Sequence, residues 1–352
     1  MLLYIHIPFC DSKCSYCAFN TYVDKFHLKA LYMQALHKQL SFELLRFGAT
    51  ANSIESVFFG GGTPSTIDPQ LYAPIFELIT PYLQRECEIT TEANPNSATQ
   101  EWLKEMFALG VNRVSFGVQS FNAQKLKILN RAHDPKAAIN AVENAAKVGF
   151  TNISLDLIYA TLGDTKKLLQ HDLDTAFSLP INHLSAYALT IEEGTAFEKK
   201  KEMSSEELSL TEWIFASIEA KGFKQYEISN FGSYQSTHNI GYWRYADYIG
   251  AGAGGVGKKD LSRFYPTPNL EEYIENPLQI REELLSHEDV KFEKIFLGLR
   301  SFVGVSESLL NQSELEAAHI LLQENRLSFS DETFYNQNFL LADEIALYLS
   351  GY

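Results

Sequence analysis

Short β-like runs alternate with amphipathic stretches through the first two-thirds of the chain, and this alternation constrains the fold more than any other feature. Candidate strands lie at 2–8, 56–59, 86–92, 113–118, 152–158 and 183–189. Between them, 28–47, 71–83, 100–109, 137–148 and 166–179 repeat apolar residues at the helical period. Six βα units at this spacing predict an α/β fold with a parallel sheet, closed or partly closed into a TIM-like barrel. With 352 residues, 45% of them hydrophobic, the chain has material for a large core. After about 204 the pattern changes. Residues 205–221 read as a helix, 225–231 as a strand, 238–257 as a Gly- and aromatic-rich segment, and 257–269 as loop. From 282 the chain reads as mostly helical, with a small hairpin at 327–329 and 333–335. The expected division is a barrel at 1–203, an extension at 204–281 and a small, mostly helical C-terminal domain at 282–352.

Charge and cysteine usage narrow the class. The net charge is -15, from 29 Lys and Arg against 44 Asp and Glu, so long phosphate backbones are poor partners and nucleic acid is not expected. No run is long and apolar enough to cross a bilayer, so an integral membrane protein is not expected either. The apolar start, 1–9, lacks a basic flank and a cleavage site and reads as a strand. Three of the four cysteines fall within eight residues, which suits metal or redox chemistry in a reducing cytoplasm better than a disulfide framework.

In parallel α/β folds the chemistry sits at the C-terminal ends of the strands. Cys10, Cys14 and Cys17 follow strand one, Gly60-Gly61-Gly62-Thr63-Pro64 follows strand two, and Glu92-Ala93-Asn94-Pro95 ends strand three. Gln119 and Ser120 end strand four, and Asp156 lies in strand five. These positions are expected to meet at one mouth. Three close thiolates fit three corners of an iron-sulfur cluster, because soft sulfur suits iron. With no fourth ligand nearby, one iron stays open. Structural zinc is the alternative, and its fourth ligand would have to be His6, His27 or the distant Cys87. Cys87 itself reads as a small buried hydrophobe. The glycine run lets backbone approach a ligand, or simply makes a tight turn. It is no phosphate loop, because no Gly-Lys-Ser/Thr follows. Gly250 to Gly255 contains GxGxxG, but no helix is expected after it, so a dinucleotide site is rejected. On their own, Tyr4 reads as a core aromatic, Tyr16 as a loop residue and Glu92 as a turn residue.

The CxxxCxxC spacing at the end of a first strand resembles the signature of the radical SAM superfamily. The resemblance implies a partial (β/α)6 barrel with a [4Fe-4S] cluster on Cys10, Cys14 and Cys17. S-Adenosyl-L-methionine (SAM) would chelate the fourth iron, and one-electron reduction would cleave its sulfonium to a 5′-deoxyadenosyl radical. Residues 4–10, 58–65, 92–95, 117–121, 129–131 and 156–159 resemble, in order, the oxygen-independent coproporphyrinogen III dehydrogenase family and its HemW branch of heme chaperones. That likeness assigns the Gly60–Gly62 run to the methionine amino group of SAM, counts Gly61, Gly62 and Thr63 as cofactor-binding, and assigns Glu92 to the ribose or sulfonium. Gln119, Arg131 and Asp156 match positions lining a second SAM site in the dehydrogenase, and Tyr4 and Tyr16 flank the cluster. The string His238-Asn239-Ile240-Gly241-Tyr242-Trp243 resembles a motif of the HemW branch and makes His238 the candidate heme ligand, since His is a common axial ligand and aromatic faces suit a porphyrin.

Three features point to the chaperone rather than the dehydrogenase. Nine residues precede Cys10, where the dehydrogenase carries a long arm; Phe19 stands where the dehydrogenase motif has a fourth cysteine; and the 238–243 string is present. The expected function is therefore binding of heme, one per monomer, alongside the cluster and SAM, and transfer to an acceptor protein such as a membrane respiratory enzyme. The alternative is radical oxidative decarboxylation of coproporphyrinogen III. No catalytic residue is assigned. The chain departs from its relatives at Ala160-Thr161-Leu162-Gly163, where they carry Gly-Leu-Pro-Gly, and at Gly255-Val256-Gly257, where they often carry a histidine. Residues 292–300 resemble a helical cap with a packing role.

Overall fold

A computed structural model describes residues 1–205 and 207–351. The six expected strands form as β1 (Leu2–Ile7), β2 (Ile54–Gly61), β3 (Leu83–Ala93), β4 (Arg113–Gln119), β5 (Asn152–Tyr159) and β6 (His183–Ala188), each parallel to the next. The helices between them are α1 (Lys29–Arg46), α2 (Pro69–Ile79), α3 (Gln100–Leu109), α4 (Ala123–Ile128), α5 (Pro135–Val148) and α6 (Lys166–Phe177). Local chemistry sets their ends. Thr99, Asp134 and Thr165 cap α3, α5 and α6 through side-chain oxygens, and Gly110, at φ 112°, ends α3 in the left-handed region.

The strands have two faces with opposite character. One set of alternate residues, including Leu3, Ile5, Val57, Phe59, Val114, Phe116, Leu155 and Leu184, packs against Leu36, Ile75, Leu103, Val142 and Leu173 of the surrounding helices to make the main core. The other set faces the barrel interior and is largely polar: Tyr4, His6, Ser56, Glu88, Glu92, Arg113, Ser115, Ser154, Asp156, His183 and Ser185. A barrel with a polar interior is stable only if those groups are hydrogen-bonded, and most of them are.

The remaining elements run α7 (Leu208–Glu219), β7 (Lys224–Gln225), β8 (Asn230–Gly232), α8 (Thr237–Trp243), β9 (Tyr248–Ala251), β10 (Gly257–Lys259), β11 (Ser262–Pro266), α9 (Leu270–Glu275) and β12 (Ile280–Leu284). They extend the sheet to twelve strands in the order β12-β11-β10-β9-β1-β2-β3-β4-β5-β6-β8-β7. β1 pairs with β9 and β2, and β6 pairs with β5 and β8, so the barrel stays open between its first and sixth strands. The expected loop at 257–269 is instead the hairpin β10–β11. Its turn is Asp260-Leu261, with Asp260 at φ 52°, and lacks the glycine that would announce it. The run Gly250–Gly255 leads into β10 and no helix follows it.

After β12 come α10 (His287–Leu299), β13 (Val305–Ser306), α11 (Gln312–Gln323), the hairpin β14 (Leu327–Ser330) and β15 (Thr333–Asn336), and α12 (Ala342–Leu349). Ile295, Leu299, Leu321, Phe334 and Ile345 gather there in a second core.

Candidate cluster and cofactor site

A cavity of about 650 Å3 opens at the C-terminal ends of the strands. Such a volume lies within the range of small-molecule sites. Cys10, Cys14, Tyr16, Cys17, Phe19, Gly61, Gly62, Thr63, Glu92, Gln119, Arg131 and Asp156 all line it. Residues that are more than a hundred positions apart in the chain are thus brought together because every parallel strand delivers its C-terminal end to the same side.

The cysteine loop leaves β1 and is tied down at several points. Cys10 donates its backbone N–H to Tyr22 O, and its Sγ lies 3.2 Å from Thr63 Oγ1. Burial pushes the Cys10 thiol up to about 11, partly offset by that Thr63 contact. Arg131 donates from Nη1 to Cys14 Sγ at 3.1 Å and from Nη2 to the Gly117 carbonyl.

The glycines have a steric reason that involves no ligand. A Cβ on Gly61, at φ 106°, would stand 2.3 Å from the His6 ring, and one on Gly62 would stand 2.7 Å from Ile7 O. The Gly61 N–H also donates to Glu92 Oε2 at 3.0 Å. This bond anchors the glycine turn to the end of β3.

Below the thiols lies a pair of buried carboxyls. Burial and the nearby Asp156 together raise Glu92 to about 7, against the pull of the Gly61 N–H and Arg113. Asp156 is also raised by burial, while Ser185, Arg113 and Ser115 draw it back; Ser115 Oγ donates to it at 3.3 Å. Two carboxyls in one low-dielectric site resist carrying two charges, so the cavity base favours a cation.

The fit to a [4Fe-4S] cluster rests on the donor set. Among the described residues no group of three metal-binding side chains converges on a single-ion site. A cubane places its thiolates on separate irons and does not require that convergence. The fourth cysteine, Cys87, is buried in the main core and lies off the cavity, so three thiols face the space and no fourth does. Thr21 Oγ1 and Arg131 Nε are buried on the cavity wall without a partner, which suits a site awaiting a polar ligand. The residues present therefore fit the cluster.

Two expected site residues lie elsewhere. Tyr4 does not line the cavity. Its hydroxyl donates to His6 Nδ1 at 3.0 Å, because His6 Nε2–H is committed to Asn20 O at 3.0 Å, and its ring stacks on Phe58. His238, expected as a heme ligand, is a residue of the barrel floor. It is 1% exposed, Nδ1 lies 2.9 Å from Ser56 Oγ, and Nε2 lies 3.0 Å from the Tyr242 hydroxyl. Burial and the positive charge of Arg113 lower it to about 3. In this arrangement neither ring nitrogen is free for iron. Sequence reasoning also overlooked Tyr187, Leu189 and Thr190, which line the cavity from the end of β6 and beyond. The strand-end rule would have found them had it been extended to the sixth strand.

A partial parallel barrel with three strand-end thiols around an open cavity is the arrangement of a radical SAM protein, and the Radical SAM superfamily pattern matches residues 4–176. The heme chaperone HemW of Bacillus subtilis is 34% identical to this chain, over 86% of the chain and 84% of the relative. HemW of Mycobacterium tuberculosis is 32% identical over 99% and 94%. The chain belongs to the HemW family of radical SAM proteins. The solved structure of coproporphyrinogen III oxidase (HemN) from Escherichia coli superimposes with a TM-score of 0.83 over 99% of this chain and 89% of that one. At 19% identity that likeness speaks to the fold.

Proposed function

We propose that this protein is a heme chaperone that keeps a radical SAM site: it binds heme and passes it to an acceptor protein, such as a membrane respiratory enzyme, from within a reducing cytoplasm. The observation that carries the reading is identity of 32–34% to HemW chaperones over most of both chains. Phe19, at the position of the dehydrogenase's fourth cysteine, supports it. Among the described residues no helix is long and apolar enough to cross a membrane, so an encounter with a membrane acceptor would involve the protein surface.

Cys10, Cys14 and Cys17 would hold the cluster, which supplies a reducible iron with an open coordination position. The chain's own residues prepare the space beside it. Gly61 and Gly62 keep the wall free of Cβ atoms, Glu92 and Asp156 supply negative charge toward a sulfonium, and Gln119 and Arg131 complete the polar side. Phe19, 67% exposed, and Tyr187 give the mouth an apolar rim.

The decisive experiment is anaerobic reconstitution followed by hemin titration and a coproporphyrinogen III turnover assay on the same preparation. Stoichiometric hemin binding without turnover is expected. Conversion of coproporphyrinogen III to protoporphyrinogen IX would replace the chaperone reading with the enzymatic one.

A further inference from the structure

Outside the cavity lies a buried ion pair that this reading leaves without a role. Lys125 Nζ on α4 is 2.8 and 2.9 Å from the two carboxylate oxygens of Asp164. Their side chains are 3% and 1% exposed. Asp164 sits in the turn after β5 and accepts from the Thr161 N–H at 2.9 Å. In this turn Ala160 takes φ 59°. A second buried carboxylate, Asp172 on α6, accepts from Ser120 Oγ at 2.7 Å and from the Phe121 N–H at 2.6 Å. The segment from β4 into α4 is thereby fixed by two acidic side chains of the next unit, β5–α6.

A buried ion pair adds little net stability compared with apolar packing, but it demands one geometry. What this geometry controls is visible at the other end of α4. Leu129 O accepts from the Ser15 N–H at 3.1 Å, Asn130 Nδ2 donates to Lys13 O at 2.8 Å, and Arg131 Nη1 donates to Cys14 Sγ at 3.1 Å. Three consecutive residues after α4 grip three consecutive residues of the cysteine loop, centred on Cys14. Cys10 is set from a different direction, by Thr63 and Tyr22. The Cys14 corner of the triad therefore depends on where α4 lies, and α4 has only six residues with which to hold its own place.

We propose that the Lys125–Asp164 pair is a positioning device for the iron-sulfur site, setting α4 and, through residues 129–131, the placement of Cys14. The proposal rests on the reading of Cys10, Cys14 and Cys17 as cluster ligands. Removal of an outer partner of a metal ligand typically costs roughly 10–100-fold in metal affinity, and the same order is expected here.

The test uses the full chain, reconstituted without oxygen. Iron retention against a chelator, the EPR spectrum of the dithionite-reduced cluster with and without SAM, and thermal unfolding of the cluster-free chain are measured together. Lys125→Met should lose iron roughly tenfold more readily, and its EPR spectrum should shift. Lys125→Arg, which keeps a buried cation, should stay near wild type. The double variant Lys125→Met with Asp164→Leu leaves no unpaired charge, so its melting temperature should recover while its EPR spectrum and iron retention stay abnormal. A merely structural pair would restore all three in the double variant, and that result overturns the proposal, as would a Lys125→Met chain with wild-type iron retention and spectrum. If the wild type itself takes up no cluster, the ligand reading falls and takes the proposal with it.

Discussion

Individual side chains at the cavity base are held against their own preference for charge, and Glu92 shows the consequence. Its folded value of about 7 lies above the ordinary 4.5 because burial and Asp156 disfavour the carboxylate. The folded chain therefore keeps a proton that the unfolded chain releases, so this contribution to stability is full below about pH 4.5 and is lost as pH rises through about 7. At about 1.4 kcal/mol per unit, the loss is on the order of 3 kcal/mol. Glu227, also raised to about 7 by burial, adds a loss of the same sign. In the cluster-free protein, urea unfolding between about pH 5 and pH 8 should show stability falling, with a shallower fall for Glu92→Gln; superimposable profiles would disprove the assignment. At this scale much of the site was legible beforehand. Cys10, Glu92, Gln119 and Asp156 could be placed because each sits at or near a strand end, where local pattern and topology agree. His238 could not, because Ser56, which meets its ring, and Glu88, which accepts from its backbone N–H, lie 182 and 150 residues away.

Among the elements, α8 illustrates how tertiary contacts assign a motif its role. Its N-terminus rests on the buried Glu88, whose carboxylate accepts from Tyr234 Oη at 2.7 Å and from the N–H groups of Thr237 and His238 at 2.9 and 3.0 Å. A carboxylate there satisfies free helix donors and complements the helix dipole. Glu88→Gln keeps the shape but loses the charge, and should cost about 2 kcal/mol in chemical denaturation, since hydrogen bonds to charged groups are worth more than neutral ones. A change within error would mean that packing alone holds α8. Gly241 supports the same placement, because a Cβ there would stand 2.6 Å from the Leu2 side chain. The helix α4 was overlooked in the sequence because six residues are too few to show a period. The β10–β11 hairpin was read as loop because its turn carries Asp260-Leu261 rather than a glycine pair.

For the whole molecule, the cysteine loop links parts of the chain that are distant in sequence. Asn20 Nδ2 donates to Ala253 O and Pro268 O, Tyr22 Oη donates to Pro268 O, and the 13–15 stretch is held by residues 129–131. Ligands bound at this junction stabilise every element that contributes to it. Loading the cluster and then adding SAM at about 100 times its dissociation constant should stabilise the fold, the second step by about 2.7 kcal/mol. Anaerobic calorimetry would read this as a stepwise rise in melting temperature, and its absence in the second step would mean that the folded chain does not bind SAM. By itself the sequence determined the six βα units, the polar strand ends and the cysteine triad, because those depend on periodicity and short-range spacing. Only the tertiary structure decided that the barrel stays open, that α8 closes its floor with His238 already bonded, and that the residues after α4 hold the Cys14 corner. Each of those follows from contacts between residues far apart in the chain, which no local pattern encodes.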